Sequence, residues 1–245
     1  MRAIILAAGR GSRMKDLTES RPKCLVKVNS REETTLLDLQ ISSLIRAGIR
    51  DIAIVTGYKR ELLADMFETE FYNSRWNETN MVSSLLCANQ WLAEEECIVS
   101  YSDIFYEPSA VEILIEGNKD IEMVFDPNWQ DLWERRFGSA LIDSETFQIN
   151  NLGFLTDIGR EPKSLDQIHG QYMGLLKFTP NGWNFFKNLC DSIPSKDLDK
   201  LDMTSALRKI IQQNFTNVYA HPYCGLWGEV DSQTDLIAYR NLGII

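Results

Sequence analysis

IILAAGRGSRMKDLTESRPKCLVKV, residues 4–28, decides what kind of fold this chain makes. The apolar run over residues 2–6 reads as a buried first β-strand. Two glycines, Gly9 and Gly11, follow it directly, and basic side chains come at once. Glycine lets backbone N–H groups turn toward an anion with no side chain in the way. Residues 1–27 hold Arg2, Arg10, Arg13, Lys15, Arg21, Lys23 and Lys27 against only Asp16 and Glu19. A cationic loop inside a chain of formal net charge −10 marks a local anion site, and its place at a strand end suggests phosphate.

Two familiar phosphate loops do not fit. The dinucleotide fingerprint needs a third glycine opening a helix, but position 14 is Met14. The P-loop ends in Gly-Lys-Ser/Thr, whereas this loop runs on as Ser12-Arg13-Met14. What remains is a glycine loop, Arg13, and then Lys23 directly after Pro22.

The 245 residues suffice for one large α/β domain, the simplest reading being a single domain over residues 1–245. An acidic surface repels nucleic acid and anionic membranes, so neither is expected as a partner. The apolar run at residues 4–8 is too short for a signal peptide, and none approaches the roughly 20 residues that span a bilayer. Cys24, Cys87, Cys97, Cys190 and Cys224 form no CxxC pair, neither a disulfide framework nor a zinc site. The expectation is a reduced, cytoplasmic protein.

Further along, apolar runs at 51–56, 97–101, 121–125 and 173–178 read as strands. Helical spacing predicts helices over 35–47, 60–67, 81–92, 111–115, 181–189, 204–213 and 232–239. Late strands are expected at 218–220 and 226–230. Strands alternating with helices imply a parallel sheet with right-handed crossovers. Between about 128 and 172 the pattern turns irregular, as in an excursion from the sheet.

LAAGRGSRM…RPK resembles the signature LxxGxGxRxxxxxxxxPK of nucleotidyltransferases that build NDP-activated small molecules. The resemblance implies a Rossmann-like, mixed but mostly parallel α/β sheet flanked by helices. It implies that Leu6, Ala8, Gly9 and Gly11 bind the nucleotide, the glycine loop wrapping its phosphates, while Arg13 and Lys23 neutralise the triphosphate and the acceptor phosphate. Attack on an α-phosphate needs dispersed charge and in-line placement more than covalent help from protein.

Asp103 ends the strand-like VSYSD, and Glu229 and Asp231 flank Val230. If that late segment is extended, both of its acids point to one face. Three carboxylates at one place make a hard oxygen site suited to Mg²⁺. An aspartate at a strand end otherwise caps a helix, but a strand-end Asp and a C-terminal ExD bind metal in the cytidylyltransferases that this chain resembles.

NxxNMVxSL, residues 77–85, stands where sugar nucleotidyltransferases carry a small-residue stretch, and looks like the phosphocholine and 2-aminoethylphosphonate cytidylyltransferases. Asn80, Ser84 and Tyr58 are the candidates for base or ribose contact, with helix capping the alternative for Asn80. DLWERRF, QYMGL, MTSAL and the final W…ExD are similar to the branch that makes CDP-glutamine from phosphoglutamine in capsule assembly. CTP and a small phosphorylated or phosphonate acceptor bearing an amine are therefore the expected partners, with a homodimer a possible assembly. Arg136, Tyr172, Asp202 and Trp227 are the acceptor candidates. For Asp202 the alternative is an N-cap, and for each aromatic residue it is core packing. The rival readings are a sugar-1-phosphate nucleotidyltransferase and a nucleotide-sensing subunit without catalysis.

Overall fold

The computed structural model describes residues 1–28, 33–241 and 243. Its strands and helices, in chain order, are β1 (Arg2–Ala7), α1 (Leu36–Arg46), β2 (Ile52–Thr56), β3 (Thr69–Tyr72), α2 (Met81–Cys87), α3 (Asn89–Glu94), β4 (Cys97–Tyr101) and β5 (Ile104–Tyr106). Then come α4 (Pro108–Glu116), β6 (Ile121–Asp126), α5 (Trp129–Phe137), β7 (Phe147–Ile149), β8 (Leu155–Ile158) and β9 (Gln171–Phe178). The chain closes with α6 (Pro180–Ser192), α7 (Ser195–Leu198), α8 (Met203–Gln212), β10 (Tyr219–Pro222), β11 (Trp227–Glu229) and α9 (Gln233–Asn241).

Seven strands build the main sheet in the order β10-β6-β9-β4-β1-β2-β3. Only β9 runs against its neighbours β4 and β6; the other pairings are parallel. The sheet is thus mixed, mostly parallel and flanked by helices, as expected. Strand alternation divides the core between its two faces. Ile4, Leu6, Val55 and Val99 pack with α2, α6 and α8 residues such as Val82, Phe186 and Leu207. Ala3, Ile5, Ile54 and Ile98 pack with Leu37 and Leu44 of α1 and Val111 of α4 on the other.

A third cluster matters most for function. Met14 and Val26, from the cationic segment, are buried with Val230, just beyond β11, and with Leu236 and Tyr239 of α9. Burial of these side chains clamps the loop that follows β1 to the C-terminal carboxylate segment.

Several expectations need correction. Residues 60–67 form two short 3-10 turns (Arg60–Leu62 and Ala64–Met66) in place of an α-helix. The helix expected over 81–92 is interrupted at Ala88, between α2 and α3. The edge strand β3 has a half-exposed backbone face and little apolar alternation, so its period is faint. The stretch after residue 128 begins with a real helix, α5, whose signal is present as Trp129, Trp133 and Phe137 spaced four apart. The remainder of 128–172 carries the small β7–β8 hairpin before the chain re-enters the sheet as β9. The late segment 226–230 contributes β11, which joins no main-sheet strand and pairs antiparallel with β5.

Candidate active site

The site lies beyond the carboxyl ends of β1 and β4, where open parallel sheets bind ligands. After β1 the chain turns at Gly11, whose φ of +68° lies in the left-handed region. It then winds through a 3-10 turn over Ser12–Thr18, closed by Met14 N–H and the Thr18 hydroxyl donating to the Gly11 carbonyl, each at 3.0 Å. A second short turn, Lys23–Leu25, follows Pro22 and aims Lys23 back toward the sheet. A Cβ at Gly11 would lie 2.8 Å from Lys23 Cβ, so the missing side chain makes room for the lysine. A Cβ at Gly9 meets nothing within 4 Å and leaves the loop open on its other side.

Lys23 Nζ donates to Asp103 Oδ2 at 3.0 Å and to Asp231 Oδ1 at 2.6 Å. Arg13 Nη2 reaches the same Asp231 Oδ1 at 2.9 Å. The β5–β11 pairing explains the meeting of the acids: it sets Glu229 opposite Ile104, and Val230 N–H donates to the Asp103 carbonyl at 2.8 Å. Oxygens of Asp103, Glu229 and Asp231 lie within 4.8 Å of one another.

Electrostatics sharpen this arrangement. Burial together with the charges of Asp231 and Asp103 pushes the Glu229 carboxyl up to about 8, against the opposing pull of Arg136 and Lys23. Burial also works against the charged form of Asp231, but Lys23, Arg13 and Arg136 outweigh it and hold its carboxyl below the usual range. Burial would lower the Lys23 ammonium, yet Asp103, Asp231 and Glu229 raise it overall. The donor set fits a hard divalent cation. All of its ligand atoms are oxygens, Asp103 Oδ1 is buried without a hydrogen-bond partner among the described residues, and burial beside two other acids drives Glu229 toward its protonated form.

Two clefts flank this cluster. One of about 270 Å³ is lined by Leu6, Ala8, Gly9, Gly11, Asn80 and Ser84, among others. Trp76 and Thr79 line it too, and both escaped the sequence reading. Trp76 is placed by a close approach at Gly57, where a Cβ would stand 2.5 Å from Trp76 Cβ. Asn80 also caps α2, accepting from Met81 N–H at 2.7 Å. Ser84 is buried, and its hydroxyl accepts from Asn73 at 3.0 Å. Tyr58 does not line this cleft. Its hydroxyl is spent on the carbonyls of Thr18 and Glu19, at 3.0 and 2.5 Å, so it straps the cationic loop down.

The second cleft, about 660 Å³, shares Arg13, Met81, Tyr101 and Asp103 with the first. Tyr172 and Asp202 line it. Asp202 caps α8 as well, accepting from Ser205 N–H at 2.7 Å. Asp143, Glu145, Arg160 and Glu161 line the same cleft and lay unnoticed in the irregular middle of the sequence. Burial and the nearby Asp202 charge raise the Glu145 carboxyl above its ordinary range, while Thr204 and Arg208 pull it down.

Arg136 and Trp227 line neither of these two clefts. Trp227 is 5% exposed, packs near Trp133 and donates from Nε1 to buried Asp126 at 2.9 Å. Arg136 is buried behind the carboxylates, with Nε donating to Asp235 at 3.0 Å. The Trp227 ring packs on Trp133 of α5, and the Arg136 guanidinium lies over the Trp133 and Phe137 rings.

A glycine loop and two cations at one sheet edge, with three carboxylates facing them, suit a protein that handles a nucleoside triphosphate. Residues 3–142, more than half of the chain, match the MobA-like NTP transferase domain. The chain belongs to that family and is a nucleotidyltransferase. It is 34% identical to CTP:phosphoglutamine cytidylyltransferase of Campylobacter jejuni, over 96% of this chain and 98% of that one. It is 38% identical to choline-phosphate cytidylyltransferase of Streptococcus pneumoniae over 41% of this chain and 42% of the relative. The fold is similar to that of the inositol-1-phosphate CTP transferase of T. maritima, with a TM-score of 0.79 at 19% identity, covering 99% of this chain and 95% of that one.

Proposed function

We propose that the chain is a Mg²⁺-dependent cytidylyltransferase that joins CTP to a small phosphorylated or phosphonate acceptor carrying a cationic nitrogen. The observation that carries this is the Lys23 ammonium between Asp103 and Asp231, with Arg13 on the same acid. Cations for a triphosphate and oxygen ligands for a metal thereby share one sheet edge. Asp103, Glu229 and Asp231 would hold the ion, and Mg²⁺ there supplies charge to polarise the α-phosphorus and to stabilise departing pyrophosphate.

The chain's own residues do the rest. Gly9 and Gly11 present backbone toward the phosphates, and Asn80, Ser84 and Trp76 bound the nucleoside. Arg13 and Lys23 neutralise charge that builds on the phosphoryl oxygens. An ionised oxygen of the acceptor attacks the α-phosphorus in line. The new P–O bond forms as the bond to the pyrophosphate oxygen breaks. No general base is required, because the acceptor oxygen is already ionised at neutral pH, and His169 and His221 have no catalytic task.

Acidic side chains in the larger cleft favour an acceptor with an ammonium group. Phosphoglutamine, phosphocholine, phosphoethanolamine and 2-aminoethylphosphonate all meet that description. A sugar 1-phosphate brings no cationic group to these acids. Activity in the cytoplasm, in the supply of CDP-activated groups for capsule or other surface decoration, is consistent with such a product.

The test is incubation with CTP, Mg²⁺ and these acceptors, with glucose 1-phosphate as the contrast, reading the mass of the CDP adduct. A CDP adduct of an aminated acceptor is the expected result. Faster pyrophosphate release from UTP, dTTP or GTP with glucose 1-phosphate would overturn the reading, and EDTA is expected to abolish turnover.

A further inference from the structure

Arg136 lies on α5 behind the carboxylate cluster, and the proposed chemistry leaves it without a task. Its side chain is 1% exposed. The guanidinium carbon sits 5.1 Å from the ring centre of Trp133 and 4.7 Å from that of Phe137. Nε donates to Asp235 Oδ1 at 3.0 Å. The other two nitrogens face the site: Nη1 is 3.5 Å from Glu229 Oε2, and Nη2 is 3.8 Å from Asp231 Oδ2. Both are buried and make no hydrogen bond among the described residues. Buried donors left unpaired cost free energy, so their placement needs a reason.

Asp235 supplies the other half of the device. Its Oδ2 accepts from the backbone N–H of Asp231 at 3.0 Å and of Ser232 at 2.8 Å, and from the Ser232 hydroxyl at 2.9 Å. That leaves Oδ1 for Arg136. One carboxylate thus ties down the backbone that carries Asp231 and aims the guanidinium at Asp231 and Glu229 together. A planar fork with fixed donor directions can orient two carboxylates at once, which a point charge cannot.

We infer that Arg136 is a positioning residue for the cation site: through its two Nη groups, and aimed by Asp235, it sets the Glu229 and Asp231 carboxylates at the separation a divalent ion requires. This rests on the metal-dependent reading given above. Arg136 touches neither nucleotide nor acceptor in this role. Partners that orient ligating groups in this way commonly change metal affinity by about ten- to a hundredfold when altered.

The experiment uses the full chain, stripped of metal, and titrates it with Mn²⁺ alone, following free Mn²⁺ by electron paramagnetic resonance. Arg136→Lys keeps the charge and loses the fork. Asp235→Asn retains an oxygen for the Asp231 and Ser232 N–H groups, but its amide meets Arg136 Nε donor to donor. Both variants are expected to bind Mn²⁺ about ten- to a hundredfold more weakly. Circular dichroism establishes that each is folded at the assay temperature. Folded variants that match the wild-type affinity overturn the inference, even if their melting temperatures fall. Unfolding of both variants overturns it as well, since the pair would then be a stability element. A wild-type protein that takes up no Mn²⁺ overturns the metal-dependent reading along with it, so the two failures are distinguishable.

Discussion

Lys23 and Asp231, 208 positions apart in sequence, meet at 2.6 Å in a buried ion pair. The pair joins the cationic loop after β1 to the carboxylate segment after β11. It also means that the lysine proposed to act on phosphate serves, before any cation or nucleotide arrives, as the counter-ion of the acids opposite.

Replacing Lys23 with alanine therefore has two expected consequences. Turnover, read as pyrophosphate release, falls by about 10²- to 10³-fold, as for removal of one preorganised charge donor. Without divalent cation the variant also melts at lower temperature, because breaking a buried pair costs roughly 3–5 kcal/mol. Added Mg²⁺ or Mn²⁺ restores much of that stability. Near-normal pyrophosphate release by Lys23→Ala would sink the assigned role.

Glu229 makes the metal-free protein sensitive to pH. Its carboxyl is raised from 4.5 to about 8 by burial and by Asp231 and Asp103. The folded state thus holds a proton that the unfolded state has already lost, and stability declines as pH rises from about 4.5 to about 8. Asp231, held below 3.8, and Lys23, held above 10.5, lose their contributions outside that window. Glu229→Gln should therefore melt higher than wild type near pH 8 in EDTA and match it near pH 4. An unchanged difference across that range would refute this account.

In the larger cleft, Asp202→Asn keeps an oxygen able to cap α8 and removes only charge. With an aminated acceptor, the acceptor KM is expected to rise by about tenfold, equivalent to some 1.4 kcal/mol, while the KM for CTP stays put. Glu145→Gln should act in the same direction. Equal KM values for wild type and both variants would remove these acids from acceptor recognition.

Gly11→Ala tests the loop itself. Alanine at a φ of +68° costs about 1–2 kcal/mol, and its methyl would lie 2.8 Å from Lys23 Cβ. Both the melting temperature and kcat should fall, the latter because the lysine is displaced. A variant with a lower melting temperature and an unaltered kcat would show that the contact with Lys23 carries no catalytic weight.

What the chain's order of residues determined by itself is local. The strand–glycine–Arg13–Lys23 run announces a phosphate loop because φ preferences, charge and strand period act over a few residues. The mixed sheet and most helices follow from the same short-range periodicity. Where periodicity was weak, as at β3, or interrupted by charge, as at α5, the elements were obscured. Asp103, Glu229 and Asp231 could be named from the sequence, but only the pairing of β5 with β11 brings their oxygens within 4.8 Å. Burial alone separates Arg136 and Trp227 from the residues that line the larger cleft: in sequence an arginine facing solvent and one enclosed by Trp133, Phe137 and Asp235 read alike. The contact between Arg136 and Asp235 spans 99 positions and forms only once hydrophobic packing has closed the chain on itself.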